Sequence, residues 1–323
     1  MPPAVIESSL ASTIDTVLAP AFLASLARMR LTVRRAFGPR PGNTPVRGHV
    51  QGSGLEVERH KAYDKGDELR FLDWNAYARL DRLLVRQFRA EREAPVHIFV
   101  DGSASMATPS RDDKFAFALG LALALGYVAV RHHNPARIVV LAEGGHLVPT
   151  GARPVAGDGF LASRTVRFPG RFHALVEFCT GLAAGGATVL ERGLESYLRG
   201  QHVAGMAILI SDFLVESSNP AEILARLAGR GRDVAALRPI GPGERDPSTL
   251  FKRARVRDIE TGGERVVNLT PAHLERYRQA LDEHLKSLET ACATHEAPFA
   301  ACDTAAGLHD CLFSQLPRAG VLR

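Results

Sequence analysis

The chain has 323 residues, of which 46% are hydrophobic and 23% are charged, and its formal net charge at pH 7 is +5. This composition is typical of a folded protein with one large or two ordinary domains, and the chain is long enough to bury a sizeable core. The basic residues are scattered along the chain, which argues against a dedicated nucleic-acid-binding protein because such proteins usually cluster their charge.

Two segments are predicted to precede the main domain. Residues 1–43 are predicted to hold a helix and a linker, since residues 1–20 carry no clear pattern, residues 20–35 have helical spacing and residues 38–43 are rich in Gly and Pro. Residues 44–93 are dense in charge and punctuated by glycines. They are predicted to form a charged, β-rich arm that packs on the main domain.

An alternation of strands and helices begins near residue 94 and predicts a main domain over residues 94–323. Apolar strands are expected at 96–100, 137–141, 146–149, 206–211, 233–240 and 299–302. Helices are expected at 114–131, 171–182, 189–198, 221–227, 272–295 and 308–316, with a loop at 153–170 and an inserted β-hairpin at 250–270. The alternation predicts an α/β fold with a mostly parallel sheet that helices cover on both faces.

The first strand of the main domain runs into a loop that carries Asp101, Ser103 and Ser105 at alternate positions. A carboxylate and two hydroxyls on one tight loop suit a hard cation such as Mg²⁺, which prefers oxygen ligands. The same pattern also fits an ordinary loop in which these side chains cap the next helix. Two distant residues favour the metal site, namely Thr188 in a Gly-rich helix start and Asp212 at the end of a second buried strand.

The position of these residues in the predicted sheet also favours a site. In open α/β sheets, ligands bind at the carboxyl ends of the strands, at the point where the chain order reverses. Asp101 and Asp212 both follow the carboxyl ends of predicted strands. If those two strands are neighbours at that point, the two carboxylates meet without any further assumption.

These five residues, in the order Asp-x-Ser-x-Ser, Thr and Asp, resemble the metal-ion-dependent adhesion site of von Willebrand factor type A domains. The arm carries a second set of matching residues. They are Gly52, Gly54, Glu56 and Val57, then Tyr63, Gly66 and Asp67, then Asp73, Trp74, Ala78 and Arg79. Together with Glu91, Glu93 and Ser211-Asp212-Phe213, this set resembles the family called domain of unknown function 58.

The resemblance implies a von Willebrand factor A-like, Rossmann-like domain with a Mg²⁺ site, in which Mn²⁺ or Ca²⁺ could replace Mg²⁺. The implied ligands are Asp101, Ser103, Ser105, Thr188 and Asp212. The resemblance also implies a link to MoxR-type AAA+ ATPases, and hence an adaptor or co-chaperone for the maturation of other proteins. One departure is that Thr188 follows Gly185-Gly186-Ala187, whereas the family pattern places the Thr directly after the glycines.

Six residues of the arm have two interpretations: Tyr63, Asp67, Arg70, Asp73, Trp74 and Arg79. The first is structural, because a network of Asp and Arg with one Trp can hold a charged arm against a sheet edge. The second is a partner-binding surface next to the metal. The structural interpretation is the more common one, and the same six residues are the candidates for partner binding.

Two classes of function remain open. The first is a non-enzymatic module in which the metal takes an Asp or Glu carboxylate from a client protein. The second is a metal-dependent hydrolase or phosphatase, but an aspartyl-phosphate phosphatase would want a second carboxylate where Ser103 stands. The chain also lacks the Gly-x-Ser-x-Gly elbow of serine hydrolases at this loop. The module is therefore predicted, with no nucleic-acid partner.

The remaining sequence features concern location. The four cysteines have no Cys-x-x-Cys spacing and are predicted to be reduced and mostly buried. The longest apolar stretch, residues 115–130, is interrupted by glycines and is expected to fall short of a membrane span. No signal peptide is recognised at the N-terminus, so a cytoplasmic location is expected.

Overall fold

The computed structural model describes residues 3–32, 57–65, 67, 69, 72–88, 94–107, 109, 112–142, 159–186, 190–200, 205–214, 219–229, 232–257 and 263–323. It divides the chain into two compact units. The larger unit consists of Met1–Ala36 with Ala94–Arg323, and the smaller unit is Phe37–Glu93. The predicted division at residues 43 and 93, and the packing of the arm on the main domain, stay predictions.

The strands are β1 (Val57–Ala62), β2 (Leu84–Phe88), β3 (Val96–Asp101), β4 (Ala136–Leu141), β5 (Phe160–Ala162), β6 (Met206–Ile210), β7 (Asp233–Ile240), β8 (Arg253–Arg257), β9 (Glu264–Asn268) and β10 (Phe299–Asp303). The helices are α1 (Pro3–Leu18), α2 (Pro20–Leu26), α3 (Trp74–Leu80), α4 (Lys114–Arg131), α5 (His173–Cys179), α6 (Leu190–Gly200), α7 (Pro220–Ala228), α8 (Pro242–Arg245), α9 (Pro271–Thr294), α10 (Gly307–Asp310) and α11 (Leu316–Arg318). The segment Cys311–Gln315 has π-helical geometry and joins α10 to α11.

The larger unit contains a six-stranded sheet in the order β10-β7-β6-β3-β4-β5. The pairs within it are parallel, except that β5 runs antiparallel to β4 at one edge. This is the doubly wound order, and it reverses at β3, which lies between β4 and β6. The predicted α/β class with a mostly parallel sheet is therefore confirmed.

Helices cover both faces of this sheet, as predicted. Successive residues of β3 alternate between two buried clusters, with Ile98 and Val100 on one face and Phe99 on the other. The first cluster includes α1, α2, α4 and α5, and the second includes α6, α7 and α9. Since parallel strands are buried on both faces, β3, β6 and β7 are apolar runs rather than alternating ones.

Helix α4 forms the centre of the first layer and is buried along almost its whole length. Helix α1 packs closely on it: a Cβ at Gly120 would lie 2.5 Å from Thr13 Cγ2. Leu10, Ile14 and Val17 of α1 are buried. The expectation that residues 1–20 carry no pattern was wrong, because these three side chains are spaced to form one face of a helix.

Other differences from the sequence predictions are local. Strand β5 lies where a loop was expected, and it is too short for its periodicity to show. The strand expected at 146–149 lies outside the described residues. The hairpin at 250–270 is confirmed, since β8 and β9 pair antiparallel. The four cysteines, Cys179, Cys292, Cys302 and Cys311, are free thiols and all are buried.

The smaller unit holds a two-stranded antiparallel sheet, β1 with β2, and the short helix α3. Helix α3 begins after Asp73, whose carboxylate accepts a hydrogen bond from Ala76 N at 3.0 Å. This N-cap is the reason the helix begins where it does. The predicted β-rich character of the arm therefore corresponds, in the described residues, to one hairpin-like pair and one helix.

Within the described residues, α4 is the helix that is long and apolar enough to cross a membrane. Residues 9–18 and α2 pass the same test as a pair that is bent by 64°. Residues 115–130 were expected to be too short for a membrane span, but α4 has the necessary length and hydropathy. It is almost entirely buried among the sheet and the other helices.

Candidate functional site

Asp101 lies at the carboxyl end of β3, directly beside the end of β6. The two strands are parallel neighbours, and Val100 pairs with Ile210. The Asp101 side chain is buried, and its Oδ2 accepts a hydrogen bond of 2.6 Å from Ser211 Oγ. The condition set by the sequence analysis is therefore met, since the two strands are neighbours where the chain order reverses.

The loop after β3 folds back on Asp101. Ser103 N donates to Asp101 Oδ1 at 3.0 Å, and the hydroxyls of Ser103 and Ser105 lie 2.9 Å apart. A second loop closes on this one, because Gly185 N donates to Gly102 O and Ala104 N donates to Gly186 O. The Gly-rich loop that precedes Thr188 thus contacts the Asp-x-Ser-x-Ser loop.

Asp212 follows β6 and is fully buried. Its Oδ2 accepts a hydrogen bond of 2.9 Å from Lys114 Nζ, and its Oδ1 accepts one from Leu214 N at 3.2 Å. Burial alone would lower the pKa of Lys114. The carboxylates of Asp212 and Glu244 outweigh burial and hold this pKa above its usual value, so Lys114 carries its charge.

The ion pairs continue away from the sheet end. Lys114 Nζ lies 3.2 Å from Glu244 Oε2, and Arg238 Nη2 lies 2.5 Å from Glu244 Oε1. Arg238 is fully buried, and its Nε also donates to the backbone oxygen of Asp212 at 3.1 Å. Residues from α4, β7, α8 and the segment after β6 are therefore joined in one buried charge network.

Asp112 fixes α8 against the start of α4. Its two carboxylate oxygens accept hydrogen bonds of 2.9 Å from the backbone N–H groups of Gly243 and Glu244. The approach is so close that a Cβ at Gly241 would lie 2.2 Å from Asp112 Cγ. Asp112 therefore holds Glu244 in place beneath Lys114.

The charges of this cluster do not balance. Asp101, Asp112, Asp212 and Glu244 are four buried carboxylates, whereas Lys114 and Arg238 are two cations, which leaves two net negative charges. Burial, and after it the repulsion of Asp212, raise the pKa of Asp101 to about 6. An additional positive charge near Asp101 would offset the net negative charge and lower the pKa of Asp101.

The donor set suits a hard divalent cation, since it consists of carboxylate and hydroxyl oxygens. Among the described residues, no group of three or more His, Cys, Asp or Glu side chains forms a metal site by itself. A cation here would therefore depend on the serine hydroxyls as well. It would also share Asp212 with Lys114, which was not expected from the sequence.

Of the five predicted metal ligands, Asp101, Ser103 and Ser105 share one hydrogen-bonded loop. Asp212 follows the neighbouring strand, and its charge helps to raise the pKa of Asp101, but its own carboxylate accepts from Lys114 and Leu214 N. Thr188 lies outside the described residues. Five further residues of the site were not predicted as site residues from the sequence: Lys114, Ser211, Glu244, Arg238 and Asp112. Ser211 is adjacent to Asp212 and could have been found from its position, but the partners of Lys114 are distant in the sequence and leave no local signal.

The arm residues belong to the smaller unit, and Arg70 among them lies outside the described residues. Asp67 Oδ2 accepts hydrogen bonds from Asp64 N at 2.9 Å and Lys61 Nζ at 3.3 Å, which stabilises a turn. The other arm contacts are local. Asp73 caps α3 and contacts His60, Tyr63 N donates to Leu83 O, and Arg79 Nε donates to Asn75 O.

Trp74 differs from these residues because it is 62% exposed. It packs edge-on against Tyr77, with ring centroids 6.3 Å apart, and it has no network of Asp and Arg around it in the described contacts. Asp67 and Asp73 therefore have local structural roles in a turn and a helix cap. The predicted network that holds the arm against a sheet edge, and partner binding by the arm, both stay predictions.

The strand order defines a doubly wound α/β protein. The carboxylates and hydroxyls at the carboxyl edge of its sheet form a candidate cation site. A family model described as "Protein of unknown function DUF58" matches residues 59–287, and the chain belongs to this family.

Uncharacterized protein Rv1480 from Mycobacterium tuberculosis (strain ATCC 25618 / H37Rv) is 28% identical over 286 residues, which cover 87% of this chain and 84% of that protein. Uncharacterized protein Mb1516 from Mycobacterium bovis (strain ATCC BAA-935 / AF2122/97) shows the same identity and coverage.

Two solved structures show more distant similarity. One is the conserved hypothetical protein BatB from Bacteroides thetaiotaomicron, with a TM-score of 0.38, 15% identity, and coverage of 70% of this chain and 98% of that chain. The other is a von Willebrand factor type A structure from Catenulispora acidiphila, with a TM-score of 0.31, 17% identity, and coverage of 66% and 43%. At these TM-scores the fold class rests on the strand order of the chain itself.

Proposed function

We propose that this protein is a non-enzymatic, Mg²⁺-dependent protein-binding module of the DUF58 family. The observation that supports the proposal best is the cluster of Asp101, Ser103, Ser105 and Asp212 at the point where the strand order reverses. The cluster is net negative and rich in oxygen donors, so it is suited to a hard cation.

A bound Mg²⁺ would supply a positive, oxygen-seeking centre at the sheet edge. The two charges of the cation would offset the two net negative charges that the residues of the cluster contribute. An Asp or Glu carboxylate from a partner would then be attracted to the site. The residues of this chain would hold the cation.

The proposed role is an adaptor or co-chaperone that acts with a MoxR-type AAA+ ATPase in the maturation of other proteins, in the cytoplasm and without a nucleic-acid partner. The support is the resemblance of the arm and site motifs, together with the family match. The client would be recognised through an acidic residue that completes the metal site.

The test is capture of a purified MoxR-type ATPase from the same genome by the immobilised chain, in Mg²⁺ and in EDTA. We expect Mg²⁺-dependent capture that Asp101→Ala abolishes, and that Asp282→Ala, an exposed control carboxylate on α9, leaves intact. Asp101→Asn keeps a hydrogen-bond acceptor for Ser103 N and provides a second variant if the alanine variant unfolds. Equal capture in EDTA would contradict the proposal, and Mg²⁺-dependent hydrolysis of phosphate or ester substrates would favour an enzyme instead.

A further inference from the structure

The two-stranded ribbon formed by β8 and β9 is a second surface at the same edge of the sheet. It leaves the fold shortly after β7 ends, and β7 is parallel to β6 and β3, so its carboxyl end lies at the edge where Asp101 and Asp212 lie. The base of the ribbon is closed by a hydrogen bond of 2.9 Å from Leu269 N to Lys252 O. The ribbon and the candidate metal site therefore belong to one edge of the larger unit.

The base of the ribbon is fixed to the charge network of that edge. Helix α8, which precedes the ribbon, carries Glu244, and α9, which follows it, places Tyr277 so that its hydroxyl donates to Glu244 O at 2.6 Å. Arg278 of α9 lies 4.0 Å from Asp246, just after α8. The ribbon thus projects from a rigid base that the site itself helps to form.

The exposed side chains of the ribbon are mostly cationic. Lys252, Arg253, Arg255 and Arg265 are exposed, and they are accompanied by one described carboxylate, Glu264, which lies 3.6 Å from Arg255. The apolar residues Val256 and Val266 are 38% and 63% exposed. Val266 pairs with Arg255 and Val256 pairs with Arg265, so the two valines lie on opposite faces of the ribbon and each is next to an arginine. Residues 252–268 contain five Lys or Arg and three Asp or Glu, a net charge of +2. The face of Arg253 and Arg255 thus combines positive charge with one exposed valine, which suits an interaction surface.

The backbone of the ribbon is also open to a partner. Within the described residues β8 and β9 pair only with each other, so each strand has an outer edge without a strand partner. Arg253 and Arg255 are two positions apart on β8 and therefore point to the same face, about 7 Å apart along the strand. Alternate side chains of an extended peptide have the same spacing.

We propose that the β8–β9 ribbon binds an extended acidic segment of a partner protein, which pairs with an edge of the ribbon and places carboxylates against Arg253 and Arg255. The inference deepens the proposed protein-binding function and rests on it, since a segment bound here would lie along the edge that carries the metal site. The exposed valines and the absence of aromatic residues from β8 and β9 favour a peptide over single-stranded nucleic acid, which is usually bound by stacking on aromatic rings.

The test uses a fluorescein-labelled peptide of about ten residues that alternates Glu and Val, a length that spans one strand. Its fluorescence anisotropy is measured with the full chain in EDTA, at low and at high salt. We expect binding that weakens with salt and that falls about tenfold in the double variant Arg253→Glu/Arg255→Glu.

The matched control is Arg171→Glu/Arg199→Glu, which changes the charge equally at exposed positions of the opposite, amino edge of the sheet. This control is expected to bind as the wild type does. The ribbon inference is overturned if the two double variants bind equally, if a Lys-Val peptide binds as well as the Glu-Val peptide, or if a single-stranded RNA of similar length binds more tightly.

Repeating the titration in Mg²⁺ separates this inference from the proposed function. Mg²⁺ is expected to increase the affinity of the wild type and of the ribbon variant, but not that of Asp101→Asn. If the increase with Mg²⁺ is absent while the ribbon effect remains, the proposed metal function fails and the ribbon inference stands. If the ribbon effect is absent while the increase with Mg²⁺ remains, only the ribbon inference fails.

Discussion

At the scale of single residues, Lys114 has the largest consequence for the site. Its ammonium group lies between Asp212 and Glu244 and is almost completely buried. It neutralises a carboxylate that the sequence assigns to the metal, and so it stabilises the site when no cation is bound. Lys114 and a divalent cation would therefore act on Asp212 in competition.

We predict that Lys114→Met lowers the free energy of unfolding in EDTA by about 3–5 kcal/mol, because the buried Asp212 loses its cation partner and Glu244 keeps only Arg238. Mg²⁺ should restore part of this loss, so that it raises the unfolding temperature more in the variant than in the wild type. Urea and thermal denaturation measure both effects. Lys286→Met, at an exposed position of α9, is the control, and an equal Mg²⁺ effect in all three proteins would contradict the prediction.

His97 forms a separate buried site on β3. Its Nδ1 lies 2.8 Å from the Tyr197 hydroxyl. Burial lowers the pKa of His97 to about 4, and the positive charges of Arg137 and Arg232 add to this effect. The neutral imidazole is therefore the form that the folded state holds.

We predict that His97 contributes stability that is fully present above pH 6.5 and is lost as the pH falls towards 4, because the unfolded state takes up the proton first. The loss is about 3 kcal/mol, from the difference between the folded and unfolded pKa values. The measurement is the difference in unfolding free energy between the wild type and His97→Gln at several pH values. The raised pKa of Asp101 increases the stability of the folded state as the pH falls over the same range. This contribution is the same in the wild type and in His97→Gln, so it cancels in the difference. A difference that is constant from pH 4 to 7 would contradict the prediction.

The residues of the site could be predicted only where the sequence carries them in a local pattern. Asp101, Ser103 and Ser105 share one loop, and Asp212 ends a recognisable strand, so strand prediction was sufficient to bring them together. Lys114 contacts Asp212 across 98 positions of the chain. No spacing rule relates such a pair, because their contact depends on how α4 packs beneath the sheet end.

At the scale of elements, α1 and α2 form part of the main core. Leu26 of α2 is fully buried, and it belongs to the same cluster as the apolar side chains of α4. The N-terminal helices therefore cover a face of α4 that would otherwise expose apolar surface. This role explains why α4 can be buried on nearly all sides in a domain with only two helical layers.

We predict that Leu26→Ala lowers the free energy of unfolding by about 3 kcal/mol, as for other large-to-small changes in a core. Leu18→Ala, at a position that is 36% exposed, is the comparison and should cost clearly less, about 1 kcal/mol. Urea denaturation at constant pH measures both. Equal effects of the two substitutions would mean that α2 is not part of the core in solution.

Elements were predictable in proportion to their length and periodicity. Helix α4 and strand β7 have the predicted bounds, because each is a long apolar run between polar residues. Strand β5 has three residues and pairs at the sheet edge, so its existence depends on β4 rather than on its own sequence. The apolar face of helix α1 is present in the sequence, but the Ser and Thr residues of the helix made it hard to recognise.

At the scale of the whole molecule, the single tryptophan reports on one unit only. Trp74 belongs to the smaller unit and is mostly exposed, whereas the candidate metal site belongs to the larger unit. The alternation of strands and helices in the sequence predicted the larger unit, whereas no periodic pattern in the sequence predicted the fold of the arm. Tryptophan fluorescence can therefore follow the arm without a label.

We predict that the emission of Trp74 is that of a solvent-exposed indole and that Mg²⁺ alone leaves it unchanged. If the arm binds a partner as predicted, addition of the purified MoxR-type ATPase should shift the emission to shorter wavelength, because the indole loses water. A fluorescence titration measures this, and Trp74→Ala should weaken the complex. A complex that forms with unchanged emission, as followed by gel filtration, would contradict a binding role for Trp74.

The buried thiols of the larger unit have a practical consequence. All four cysteines are enclosed in the fold, and burial raises the pKa of Cys179 well above its usual range, so little of the reactive thiolate is present at neutral pH. Maleimide dyes should therefore modify the native chain slowly, and only as fast as the domain opens. A cysteine introduced on the ribbon or on α3 could carry a dye or spin label selectively, without first removing the natural ones.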